Sequence, residues 1–190
     1  MHVSQLACAM PRLARLTLEK TDVTDEALSS LAILAPSLTY LDVSRTAIRG
    51  SEASYAALRG MRALTELLLA YCQVDLMLVY NLPPNLERLK CSRALQFDDA
   101  AIGCLAHELT AAHADGTPRP RGLKALDVGS PHITDAAISD LCALAHAGLD
   151  TLTLWHTKVS RVALERLMHA TGLALDTSMG TSDGTYLLRR

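Results

Sequence analysis

Apolar residues recur along this chain in a fixed frame of first, fourth and sixth places, with mostly polar residues between them. The frame is filled by Leu13/Leu16/Leu18, Leu38/Leu41/Val43, Leu64/Leu67/Leu69, Leu86/Leu89/Cys91, Leu123/Leu126/Val128 and Leu149/Leu152/Leu154. Apolar residues two apart predict a short strand with one buried face. A further apolar residue follows a few places on, as at Val23, Ile133 and Val159. The period then changes. Ala27, Leu28, Leu31 and Leu34, and later Ile102, Leu105 and Leu109, have the spacing of a helix with one buried side. Thr24, Thr134 and Ser160 stand where N-caps are expected, and Asp25 and Glu26 place negative charge on a helix start. Pro36 closes the first helix, and the second is expected from Ser51 to about Met61. In the third unit Pro83 and Pro84 argue against a helix and predict an extended return.

The first leucines stand at 13, 38, 64, 86, 123, 149 and 173, at intervals of 25, 26, 22, 37, 26 and 24 residues. Five of these fall within the roughly 20–29 residues of a strand-plus-return repeat. The long interval holds an insertion, Thr110–Gly122, whose glycines and prolines predict an exposed loop. The motifs LxxLxLxxTxVTDxAL at Leu13, LxxLDVSxTAI at Leu38, LDVGSPHITDAAI at Leu126 and LTLWHTKV at Leu152 resemble leucine-rich repeats. They are most similar to the cysteine-containing type found in F-box substrate receptors. The resemblance implies an α/β solenoid of about six to seven repeats in a single domain over residues 1–190. A curved parallel sheet would form its concave face, and helices and extended segments its convex face. Residues 178–190 would be a cap or a tail. The NLPPNL stretch from Asn81 is closer to units with short extended returns, and no F-box-like segment precedes the repeats.

Composition narrows the function. With 49% apolar residues in 190, the chain can fill one continuous core, and at 4% aromatics that core must be aliphatic. A net charge of −2 and a pI near 6.4 weigh against nucleic acid as main ligand and against an acidic membrane surface. No apolar run is long enough to span a bilayer. Cys8, Cys72, Cys91, Cys104 and Cys142 are odd in number and fall at or near repeat positions, which suits buried thiols in a reducing compartment. An intracellular, chiefly cytoplasmic, location is expected, with the nucleus and mitochondrion left open. Arg12 and Arg15 without an early acid faintly resemble a targeting segment, but Leu13, Leu16 and Leu18 already belong to the first unit.

Strand alternation sends the third, fifth and seventh places to the outer sheet face. The third-place column is Arg15, Tyr40, Glu66, Arg88, Ala125 and Thr151. The fifth is Thr17, Asp42, Leu68, Lys90, Asp127 and Thr153. The seventh is Glu19, Ser44, Ala70, Ser92, Gly129 and Trp155, and Lys20, Arg45, Tyr71, Arg93, Ser130 and His156 follow at the rim. Aromatic and arginine side chains dominate interface hot spots. The expected partner-binding residues are therefore Tyr40, Asp42, Arg45, Leu68, Tyr71, Arg88, Lys90, Arg93, Trp155 and His156. The four columns carry six positive and four negative residues, too mixed for a phosphate-tracking groove. No nucleophile elbow, phosphate loop, dinucleotide fingerprint or HExxH helix is present. Cys104/His107 and Cys142/His146 could each offer two ligands, but a structural zinc site needs four, so no metal or cofactor is expected. The reading is a non-catalytic module that binds a protein partner on its concave sheet. Its rivals are an architectural subunit of a large assembly, a substrate receptor in a ubiquitin ligase, and an enzyme or metal protein using His156 or the Cys/His pairs. The chain could also belong to a longer repeat array.

Overall fold

The computed structural model describes residues 3–94, 96–110, 122–176 and 185–190. After a helix α1 (Val3–Ala9), six strands run parallel and in chain order: β1 (Arg15–Thr17), β2 (Tyr40–Asp42), β3 (Glu66–Leu68), β4 (Arg88–Ser92), β5 (Ala125–Gly129) and β6 (Thr151–Leu154). The fourth-place leucines pair rung by rung, Leu16 with Leu41, Leu41 with Leu67, Leu67 with Leu89, Leu89 with Leu126 and Leu126 with Leu152. This register stacks identical side chains about 4.8 Å apart, so each leucine covers its neighbours and the column closes to water. Leu41, Leu67 and Leu152 are completely buried, while Leu16 on the edge strand keeps 9% of its surface. Two further strands, β7 (Ala174–Leu175) and β8 (Tyr186–Arg189), end the sheet, with β8 antiparallel between β6 and β7. The result is an α/β repeat fold.

The return segments pack in the same order as the strands. Helix α2 (Asp25–Ser30) lies against α3 (Glu52–Gly60), and α3 against a 3-10 turn at Leu76–Asn81. That turn meets α4 (Asp99–Thr110), followed by α5 (Ile138–His146) and α6 (Arg161–Thr171). Ser51 caps α3 in a reciprocal pair with Ser54, and Thr134 and Ser160 accept from the Ala136 and Ala163 amides. Thr24 makes no side-chain cap bond. The third return is not extended, contrary to expectation. Pro83 and Pro84 lie beyond Asn81, and Asp75 caps the turn by accepting from the Met77 amide. The prolines therefore limit the helical segment to one short piece without abolishing it. The Thr110–Gly122 insertion falls almost wholly, and the 178–190 segment largely, outside the described residues.

Aspartates at the starts of the returns tie consecutive units together. Asp25 accepts from the amides of Arg49, Gly50 and Ser51 in the next unit. Asp99 accepts the Thr134 amide and hydroxyl, both at 2.7 Å. Asp135 does the same for Ser160, at 2.6 and 2.7 Å. Each carboxylate fixes the next unit's cap residue. Among the described residues no helix is long and apolar enough to cross a membrane.

Candidate functional site

The seventh place does not stand outward as simple alternation predicts. Ser44, Ala70, Ser92 and Gly129 are all buried. At this place the chain leaves the strand, and the residue after it turns over. Lys20, Arg45, Tyr71, Arg93 and His156 all take left-handed backbone, with φ between 49° and 62°. Four of them then donate their amide to the seventh-place carbonyl of the next unit: Lys20 to Ser44, Arg45 to Ala70, Tyr71 to Ser92 and Arg93 to Gly129. A non-glycine residue in this region costs about 1–2 kcal/mol, which the cross-unit hydrogen bond and the stacked core offset. Ser130 escapes the conformation because Pro131 follows it, and a residue before proline is pushed to extended backbone.

The consequence is a trough. Small side chains at the seventh place form its floor (Ser44, Ala70, Ser92), with longer fifth-place residues on one wall (Asp42, Leu68, Lys90). Left-handed rim residues form the other wall (Arg45, Tyr71, Arg93, His156), and Glu19 and Trp155 stand at the ends. The trough is open to solvent along its length and has a volume of about 320 Å3. Eight of the ten residues expected from the sequence thus share one depression. The other two lie beside it. Arg88 lines a neighbouring hollow of about 200 Å3 together with Leu68 and Lys90. Tyr40 is covered by the Arg15 guanidinium, 3.8 Å from its ring centre.

Electrostatics differ along the trough. Asp42 is buried and turned to structural use, its Oδ1 accepting the Ser44 amide at 2.9 Å. It is a wall of the site and not the exposed contact expected. Lys90 pairs with Asp127 at 3.5 Å, and Arg45 approaches Glu19 at 3.8 Å. Burial pushes the Asp127 carboxyl up from its ordinary range, while Lys90, Trp155 and Ser92 oppose that shift. Tyr71 is exposed and lies between two guanidinium groups, with Arg45 at 4.4 Å and Arg93 at 5.2 Å from its ring centre. Arg93 reaches past the fifth unit, where Gly129 and Ser130 leave no bulk, and bonds His156 Nε2 at 2.7 Å. A guanidinium only donates, so that imidazole nitrogen supplies a lone pair.

Trp155, at the seventh place of the sixth unit, is half-buried. Its indole nitrogen and Asp127 Oδ1 are buried without a hydrogen bond of proper geometry. Glu19 and Asp127 are the charged neighbours that sequence reasoning left out of the site. Both stand in the outward columns, but only the register shows which cations they neutralise. Among the described residues no three His, Cys, Asp or Glu side chains are grouped to hold a metal ion. Cys104 instead lies 3.3 Å from the Tyr80 hydroxyl.

No protein-family model matches the chain, and no curated protein matches it. Among solved structures it is similar to an internalin from Listeria monocytogenes, with a TM-score of 0.45 and 17% identity over 87% of this chain. The match covers 48% of that protein, so the chain spans about half its length.

Proposed function

We propose that this chain is a leucine-rich-repeat solenoid whose work is to bind a protein partner on its concave sheet face, with the trough as the centre of the interface. The observation that carries this reading is the gathering of Tyr71, Trp155, Leu68, Arg45 and Arg93 around one depression. Aromatic and arginine side chains set around a partly desolvated pocket are the usual composition of a binding hot spot. The framework adds a second support. Stacked strands held by in-register leucines and cross-unit aspartates present these side chains already ordered, so association freezes little further motion. Cys91, at a sixth place, and Cys72 fit the cysteine-containing repeat type, and six full units with part of a seventh fit the intervals between first leucines.

The test is a partner capture compared across three proteins. Wild type and a Tyr71→Ala/Trp155→Ala double variant are used as bait in lysate of the source cell, beside a control, Met77→Ala, which alters an exposed residue of the helical side. Circular dichroism and thermal melting confirm that all three fold. A partner retained by wild type and by Met77→Ala and lost from the double variant is expected. Retention by the double variant removes the trough from the interface, and loss only from Met77→Ala moves the interface to the helical side.

A further inference from the structure

Within that reading, we infer that the partner presents an acidic segment, with one carboxylate seated against Arg93, Tyr71 and Arg45 and a second near Arg88. Positive charge is left over in and beside the trough. Of the cations lining the trough, Lys90 is neutralised by Asp127 and Arg45 is opposed by Glu19. Arg93 has no carboxylate partner among the described residues, and its contacts are the His156 lone pair and the Tyr71 ring face. Arg88, exposed at the start of β4, also lacks a carboxylate within ion-pair distance among those residues. Two guanidinium groups against one tyrosine ring repel each other, and an anion between them relieves that repulsion while gaining charge-assisted hydrogen bonds.

The site is shaped for this as well as charged for it. The His156 acceptor uses one donor direction of Arg93 and holds the planar group across the gap above Ser130. The remaining N–H groups of its five stay available. Tyr71 backs the guanidinium with its ring and offers a hydroxyl at the rim. The buried Asp42, the paired Asp127 and the end-standing Glu19 keep the trough from being uniformly basic. A polyanion laid along all six units would meet these acids, whereas a short segment running along the fourth unit meets Arg88, Lys90 and Arg93. Third and eighth places are five residues apart, or roughly 16 Å along extended chain. Acidic residues about five positions apart in an extended partner would therefore reach both arginines.

Trp155, the only tryptophan of the chain, reports occupancy from the end of the trough. The probe is a capped peptide of about ten glycine and serine residues with two glutamates about five positions apart. Its counterpart carries glutamine at both places, and titrations are run at constant ionic strength. Saturable change in Trp155 fluorescence below about 10 mM with the glutamate peptide is expected, with none from the glutamine peptide. Arg93→Gln should weaken binding about tenfold or more, and Arg88→Gln by a smaller factor. The inference is overturned if the two peptides behave alike, if neither saturates, if Arg93→Gln binds as wild type does, or if a short single-stranded oligonucleotide binds more tightly than the glutamate peptide. These results are separable from the broader reading. Partner capture that depends on Tyr71 and Trp155 but not on Arg93 leaves the protein interface standing and removes the acidic segment alone.

Discussion

A methyl group added at Gly129 would stand 2.6 Å from Trp155 Cβ and 2.7 Å from the Trp155 carbonyl oxygen. Backbone and Cβ cannot swing aside as a side-chain tip can, so the sixth unit would have to shift. Gly129→Ala is expected to lower stability by about 1–3 kcal/mol in urea unfolding and to alter Trp155 fluorescence in the folded state. An unchanged midpoint and spectrum would show that the two units separate freely. Cysteine reactivity is set at the same scale. Cys91 fills a sixth-place core position and is fully buried, and burial pushes its thiol pKa up, as it does that of Cys72. Thiolate is the reactive form. Alkylation of native protein near pH 8 should therefore modify exposed Cys8 and spare Cys72 and Cys91 until denaturant is added, as read by mass spectrometry. Rapid native labelling of Cys91 would contradict the burial of that column.

The capping aspartates act between elements, and their contribution depends on pH. Burial alone would raise Asp25, but Ser54 and the amides of Arg49, Gly50 and Ser51 hold its carboxyl below the ordinary range. For Asp135 the Ser160 amide and hydroxyl do the same. A carboxyl whose pKa is lower in the folded chain binds fewer protons folded than unfolded, so it adds stability above the unfolded value near 3.8 and loses it as pH falls through the folded value. Asp127 has the opposite sign. Its raised pKa means that ionisation subtracts stability as pH rises past the ordinary range. Stability should fall below about pH 4, and the Asp25→Asn/Asp135→Asn variant should show a shallower acid limb in urea melts run between pH 7 and 3. An acid limb as steep as wild type would remove these two carboxylates from the acid response. Asp99 accepts two short bonds from Thr134, and Asp99→Ala is expected to cost about 1.5–3 kcal/mol at pH 7. In the sequence Asp25 reads only as a complement to a helix dipole, and Asp99 and Asp135 carry no signal of their own. Asp25 and Asp135 follow the N-cap positions Thr24 and Thr134, and Asp99 follows Asp98, whose Oδ1 accepts the Ala101 amide, but which neighbouring amide each meets depends on the stacking of units, which no local pattern specifies.

At the scale of the whole molecule, the strand positions were legible because the period of two survives in every unit, and the rung pairing of leucines follows from it. The trough was legible only in part. Alternation placed Leu68, Lys90 and Arg88 correctly. It failed at the seventh place, because the chain turns there and alternation presumes continued strand. Nor did it foresee that small residues at that place, followed by left-handed arginine, tyrosine and histidine, would leave a hollow between two rows of side chains. The far edge of the sheet carries the last consequence. Strand β8 covers β6 with an antiparallel ladder and buries Leu187 and Leu188. Arg190 secures its end to the Ala145 and Asp150 carbonyls at 2.7 and 3.1 Å, and Arg189 pairs with Asp176 at 3.1 Å. Removing residues 185–190 would uncover a strand edge beside the trough's Trp155, together with an apolar column. An exposed edge of that kind recruits further strands. The truncated chain is expected to lose about 3 kcal/mol or more, at roughly 1.5–3 kcal/mol per buried leucine. It should also elute as dimers or larger species in size-exclusion chromatography with light scattering. Monomeric behaviour with an unchanged melting temperature would mean that β6 is closed by something other than β8.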